Sequence, residues 1–259
     1  MADLEREYSP SSRVGGSADP FVAAWVARSR AATAQLAAQV ILLPGGSLAV
    51  DAGPGAPLLV FVHGGYWSAL SAADSMFLAP SLLAAGWSFA AVEYTVAPRG
   101  TVSRMVGECR DALVHVAAAL RDAGPVVLAG HSAGAHLAAM VSLVAPSPLP
   151  VRRTVLVSGV FDLRPLRHTS VNDPLGLDEE AAVALSPQLL GVEGRQEVVV
   201  AWGDNDTAAF AAQSRAYAGH LRLAGLVVQE RECADRHHFD IVDDLTRATS
   251  VLGGLTLTV

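Results

Sequence analysis

The sequence contains no lysine. All 18 of its basic residues are arginine, set against 25 acidic ones, which gives a net charge of −7 and a pI near 5.6. A chain this acidic lacks the clustered positive charge that a phosphate backbone requires, so no nucleic-acid partner is expected. Arginine without lysine, beside abundant alanine, points to a GC-rich bacterial coding sequence and says nothing about mechanism. Cysteine is almost missing as well. Cys109 and Cys233 lie far apart, and there is neither a CxxC nor a Cys/His cluster at metal-ligand spacing, so no metal site is expected and a reduced, cytoplasmic setting fits. HExxH, a Gly-x-Gly-x-x-Gly following a strand and a P-loop are all missing, which leaves no role for a metal or nucleotide cofactor. The first seven residues, Met1-Ala-Asp-Leu-Glu-Arg-Glu7, are charged and lack an apolar core, unlike a signal peptide. The apolar stretch 126–145 is about as long as a membrane span. It is interrupted by His131, Ser132 and His136 around a Gly-x-Ser-x-Gly turn, which suits a buried strand, turn and helix, and no membrane partner is expected.

What is present is a 259-residue chain that is half hydrophobic, enough for a single α/β domain with a sizeable core. No repeat or linker divides it. A Ser/Gly/Pro-rich patch at 9–20 is expected to run over the surface, and Asp19-Pro20 caps a helix reaching to about residue 38, so that 1–38 forms an N-terminal extension and helix. Apolar runs at 58–62, 88–92, 126–129, 154–157, 198–202 and 226–229 read as short buried strands. Helical patterns fill the intervals near 73–85, 103–121, 133–144, 207–224 and 239–250. Continuous apolar strands alternating with helices predict a mostly parallel central sheet with helices on both faces, and a ligand site beyond the carboxyl ends of the strands. The stretch 161–190, with Pro165, Pro174 and Pro187, breaks the alternation and is the expected small lid.

The strongest local signal is Gly130-His-Ser-Ala-Gly134, directly after a strand and directly before an apolar helix. That is the setting of a nucleophile elbow, where small residues permit a strained turn that lifts the Ser132 hydroxyl above the sheet. The N-terminus of the helix beginning at Ala133 favours an oxyanion beside it. A second signal, His63-Gly-Gly-Tyr-Trp67, follows the strand at 58–62. Consecutive glycines allow a close backbone approach, so the N–H groups of Gly65 and Tyr66, with that of Ala133, are the expected oxyanion hole, and His63 is expected to fix the loop. Trp67 and Phe161 are candidate pocket walls. Serine needs a base, and the base needs an acid to set its tautomer. Trp202-Gly-Asp-Asn-Asp206 offers Asp204 and Asp206, and His237-His-Phe-Asp240 offers two histidines, in the chain order serine, acid, histidine. His131 and His136 are expected to support the elbow, His115 and His220 to pack within helices, and His168 to lie in the lid.

These residues resemble the kynurenine formamidase (arylformamidase) branch of the α/β-hydrolases and its bacterial esterase-like relatives. The resemblance runs from about Leu4 onward and is carried by His63-Gly-Gly-Tyr-Trp67, Glu93-Tyr-Thr-Val-Ala-Pro98, Gly130-His-Ser-Ala-Gly-Ala-His-Leu137, Ser158-Gly-Val-Phe-Asp-Leu-Arg-Pro-Leu166, Ser186-Pro187, Phe210 with Gln213-Ser214, and His238-Phe-Asp240. The chain departs from it at Leu43-Pro-Gly-Gly-Ser47 and in the lid. The resemblance implies Asp206 as acid and His238 as base. It also implies a serine hydrolase that removes a small acyl group from an aryl amide or ester without a cofactor, most specifically from N-formyl-L-kynurenine. A short-chain carboxylesterase is the alternative, and a non-catalytic binding protein of the same fold a further one. Arg164, Arg167 and Asn172 are available for a substrate carboxylate. The oligomeric state, homodimer included, is left open.

Overall fold

Five or six consecutive apolar residues make a strand only where both faces of the sheet are covered. The computed structural model, which describes residues 2–258, has eight strands, of which β3 and β4 are such runs: β1 (Ile41–Leu42), β2 (Leu48–Val50), β3 (Leu58–Val62), β4 (Ser88–Val92), β5 (Val126–His131), β6 (Val151–Val157), β7 (Glu197–Gly203) and β8 (Val228–Cys233). They form one sheet in the order β1-β2-β4-β3-β5-β6-β7-β8. β1–β2 and β2–β4 are antiparallel and every other pair is parallel. β3 and β4 run over the expected residues. The edge strands β1 and β2 escape a sequence reading because two or three residues carry no periodicity. At the other edge, β8 starts two residues later than expected and continues through Glu230, Arg231 and Glu232, charges that suit a strand with one unpaired side.

The helices are α1 (Ala2–Glu7), α2 (Asp19–Gln35), α3 (Ala79–Ala84), α4 (Val102–Ala119), α5 (Ala133–Ala139), α6 (Asn172–Leu175), α7 (Glu179–Ala184), α8 (Ala208–Leu223) and α9 (Val251–Leu257). Alternate residues of β3 serve two cores. Leu58, Val60 and Val62 pack with Met105 of α4, Leu137 of α5 and Tyr217 of α8. Leu59 and Phe61 pack with Trp25 of α2, Leu82 of α3 and Leu252 of α9. This is the α/β-hydrolase fold, and no helix among the described residues is long and apolar enough to cross a membrane.

Three helical segments differ from expectation. The interval 73–85 opens with a 3₁₀ run, Ala72–Leu78, before α3, and 133–144 ends in a π turn, Met140–Val144. The last helix lies further along the chain. Ile241–Thr246 is 3₁₀, the Asp244 carboxylate is engaged by Arg236 and Arg247, and α9 starts only after Ser250 caps it by accepting the Gly253 N–H at 2.9 Å.

Residues 9–20 run over the surface as expected, with Pro10 as their one buried residue, whereas the segment just ahead of them is tied into the body. Tyr8 and Pro10 are buried. The Tyr66 hydroxyl donates to Tyr8 O, the Thr207 hydroxyl donates to Glu7 O, and Ser170 donates to Glu5 through both its N–H and its hydroxyl. Gln213 ties this stretch to the rest. Its amide nitrogen donates to Tyr8 Oη and Asp162 O, both at 2.9 Å, and its oxygen accepts the N–H groups of Phe161 and Asp162.

Candidate active site

The strand order reverses between β3 and β5, which are parallel neighbours with Val62 opposite Gly130, so the loops leaving their carboxyl ends lie side by side. These are the loops beginning at His63 and at Ser132. Ser132 has φ 55° and ψ −121°, a conformation that costs a non-glycine residue about 1–3 kcal/mol. Its surroundings impose it. The Ser132 N–H donates to Val157 O at 2.8 Å, and α5 begins at the next residue. A Cβ on Gly130 would lie 2.2 Å from Gly134 O, and one on Gly134 would lie 2.0 Å from Val62 O. Glycine at both positions is therefore what lets strand and helix close around the serine.

Along the facing loop a Cβ on Gly64 would lie 3.1 Å from Ser132 Cβ, so the His63-Gly-Gly strip passes in contact with the serine. Gly65 has φ +95°, and Tyr66 and Trp67 follow at 49° and 56°. The Gly65 carbonyl accepts the N–H groups of Ser68 and Ala69, whereas among the described residues the N–H groups of Gly65 and Tyr66 donate to nothing. The Ala133 N–H, first in α5, has no acceptor within its helix. His63 holds the loop from below, its ring stacked on Tyr94 at 4.1 Å and its Nδ1 donating to Gly64 O at 2.9 Å. The Tyr94 hydroxyl donates to His63 O, and Glu93 accepts the N–H groups of Ala72 and Tyr94.

The structure separates the paired candidates. Asp206 follows β7 and His238 follows β8; the His238 Nδ1–H donates to Asp206 Oδ2 at 3.2 Å, with both side chains buried. Asp204 instead accepts the N–H groups of Asp235 and Arg236 and braces their loop. His237 accepts the N–H groups of Phe239 and Asp240 on its Nδ1. Burial alone would raise the Asp206 carboxyl; the neighbouring His238, with hydrogen bonds from His238 and the Thr207 N–H, outweighs it and holds the group below its ordinary value. The Ser158 hydroxyl lies on the same carboxylate without the geometry of a formed hydrogen bond. The His238 ring is wedged by Phe210 at 4.7 Å and Phe239 at 5.3 Å, and its carbonyl accepts His131 Nε2–H at 2.7 Å. With Nδ1 committed to Asp206, Nε2 carries the lone pair. Neither that nitrogen nor Ser132 Oγ makes a hydrogen bond here; both residues line the same cavity.

His131 and His136 support the elbow. His136 is fully buried and donates from Nε2 to Leu185 O at 2.7 Å. Burial pushes His136 down to about 4, and burial with the adjacent His238 pushes His131 down to about 3. Both are neutral in the folded state at pH 7. Because the unfolded chain binds these protons from about pH 6.5 and the folded chain does not, stability is greatest above 6.5 and falls as pH drops toward 4 and 3. Each histidine contributes about 1.4 kcal/mol per pH unit within its window. Urea unfolding is expected to lose roughly 3–4 kcal/mol between pH 7 and pH 5. Titration curves flat over that range would show that the two rings are not held neutral by burial.

The cavity beside Ser132 and His238 has a volume of about 460 Å³. Its aromatic walls are Tyr8, Trp25, Tyr66 and Phe239. Two pocket residues expected from sequence are not among them. Trp67 is fully buried, packed edge-on to His136 at 5.2 Å, and Phe161 is fully buried and stacked on Tyr217 at 4.2 Å; both fill core instead. The 161–190 segment reaches the cavity only through Ser170 and Val171, and the larger part of the cover is the N-terminal stretch from Glu5 to Trp25. The side chains expected for a substrate carboxylate are engaged elsewhere: Arg164 with Asp162, Arg167 with Glu179, and Asn172 with both backbone groups of Leu177. Among the described residues no group of three or more His, Cys, Asp or Glu is arranged to hold a metal ion.

Residues 48–149 match the BD-FAE family model. The chain is similar to a kynurenine formamidase of Danio rerio, 35% identical over 98% of this chain and 94% of that one. It is also similar to one of Salmo salar, 38% identical over 73% of this chain and 68% of that one. Among solved structures, a protein of Silicibacter sp. tm1040 provisionally named a thioesterase superposes with a TM-score of 0.87 at 29% identity, covering 98% of this chain and 99% of that chain. Full-length similarity at this identity, on an α/β-hydrolase fold with a serine elbow, shows that the chain belongs to the kynurenine formamidase family.

Proposed function

We propose that this protein is a serine hydrolase of the arylformamidase type, with N-formyl-L-kynurenine or a close aryl formamide as substrate. The observation that supports the reading is convergence: Ser132, His238, Gly65 and Tyr66 line one aromatic-walled cavity, the N–H groups of Gly65 and Tyr66 are unpaired among the described residues, and Ala133 follows Ser132 as the first residue of α5. Ser132 Oγ attacks the formyl carbon as His238 Nε2 takes its proton, and Asp206 steadies the imidazolium that results. The oxyanion is held by the three N–H groups, which cost no reorganisation because they are already unpaired. His238 then protonates the departing aryl amine, leaving a formyl ester on Ser132. Water, deprotonated by the same histidine, attacks that ester, releases formate and restores the hydroxyl. An aryl amine leaves more readily than an alkyl amine, and formyl is the smallest acyl group, both of which suit a serine set deep beside the sheet.

The test is kcat/KM for N-formyl-L-kynurenine and for p-nitrophenyl esters of increasing acyl length, measured on one preparation. Turnover of the formamide is expected, together with ester activity that falls as the acyl chain lengthens. Efficient ester hydrolysis with no formamide turnover would replace this reading with a short-chain carboxylesterase.

A further inference from the structure

The cavity that contains Ser132 is unevenly charged. It is lined by two carboxylates, Glu5 and Asp19, and by no arginine. Glu5 is fixed in place, since Ser170 donates to one of its oxygens through the N–H at 2.9 Å and to the other through the hydroxyl. Those hydrogen bonds also favour its ionised form. A carboxylate offers about four lone-pair sites, so two remain for a ligand. Asp19 opens α2 on the exposed rim of the same cavity. A ligand is independently indicated by Ser132, a residue only 3% exposed whose hydroxyl opens on this cavity and has no hydrogen-bond partner among the described residues. Whatever reacts there must lay its remaining groups along these walls.

We propose that the leaving-group side of this cavity selects aryl substrates that carry an ammonium group, recognised by Glu5 and Asp19. This deepens the formamidase reading and rests on it. In such a complex the ring lies among Tyr66, Trp25 and Phe239, and the side-chain ammonium points toward the two carboxylates, with the faces of the aromatic walls adding cation–π attraction. A substrate carboxylate, where there is one, turns to the solvent-facing mouth. An opposite charge about 4 Å away changes affinity by about fivefold even in bulk water, and a like charge changes it equally in the other direction. The distinction is therefore by sign of charge and not by size.

The experiment uses four aryl formamides on one scaffold whose side chain ends in ammonium plus carboxylate, ammonium alone, carboxylate alone, or neither. With the full chain, kcat/KM is expected to be highest for the ammonium-only compound and lowest for the carboxylate-only compound, with the neutral compound between. The extremes should be at least about tenfold apart, and the spread should narrow at 0.5 M NaCl. In the double variant Glu5→Gln, Asp19→Asn, the spread is expected to shrink to within about twofold, circular dichroism confirming the fold. Preference for the carboxylate-only compound, or an unchanged ranking in the double variant, overturns the proposal. If no formamide is cleaved while p-nitrophenyl acetate is, the formamidase reading fails by itself. The same four side chains on aryl acetates then decide the charge selection by the same ranking.

Discussion

Ser132→Ala is expected to lower kcat by about 10⁴-fold or more and to leave the melting temperature and circular dichroism of the protein unchanged. The size follows from the way the groups act: without the hydroxyl there is no covalent intermediate, and His238 and Asp206 have nothing to activate. The unchanged stability follows from the site. Ser132 Oγ makes no hydrogen bond in the folded state, so its removal leaves no partner orphaned, and alanine keeps the Cβ that Gly64 is shaped to meet. Asp206→Asn should be nearly as damaging, because an amide no longer favours the Nδ1–H tautomer that leaves Nε2 free. Asp204→Asn removes only a brace on the 235–236 backbone, and its rate effect should be small. A fluorophosphonate should label the wild type and not the Ser132→Ala variant. An alanine variant retaining more than a few per cent of wild-type turnover would end the serine mechanism.

Gly134→Ala is expected to destabilise the protein by about 4 kcal/mol or more, or to prevent folding. The added carbon would sit 2.0 Å from Val62 O and 2.5 Å from His63 O, both backbone atoms of the central strand and of the loop that follows it. No rotamer can relieve such a clash. Relief requires α5 to move off β3, which breaks the burial of a helix whose seven residues are all buried. Gly107→Ala is the matched control: it lies within α4 with nothing inside 4 Å of the new carbon, and it should stabilise by about 0.5–1 kcal/mol through helix propensity alone. Chemical unfolding of the two variants in parallel reads both effects. Similar midpoints for the pair would show that the contact around Gly134 is looser than the structure has it.

The features that sequence reveals best are those whose cause is local. β3 and β4 are continuous apolar runs that nothing except a doubly covered strand accommodates, and Gly130-His-Ser-Ala-Gly134 carries its own strand and helix on either side. Asp206 and His238 needed the family spacing to be chosen over Asp204 and His237, since the four differ only in what the tertiary structure puts beside them. The pocket was the least legible part. Trp67 and Phe161 sit one or two residues from loop positions that do matter, yet each turns into the core, because a large ring gains more from full burial than from a wet wall. Nothing local to Glu5, Tyr8 or Trp25 announces that they close over residue 132. That fact lies in hydrogen bonds spanning more than 50 residues, from Tyr66 to Tyr8, from Thr207 to Glu7 and from Gln213 to Tyr8.

The cover over the nucleophile comes mainly from one continuous stretch ahead of the sheet. It is tied to the body by side-chain hydrogen bonds from Glu5, Glu7 and Tyr8 and by Trp25, which packs in the sheet core, while the strands that hold Ser132, Asp206 and His238 do not pass through it. Chemistry and selectivity are thus written in separate parts of the polypeptide. A crossover near residue 38 could exchange one leaving-group wall for another only if the incoming segment kept a ring in the place of Trp25, which packs in the sheet core and edge-on to His131 beside the strained serine turn.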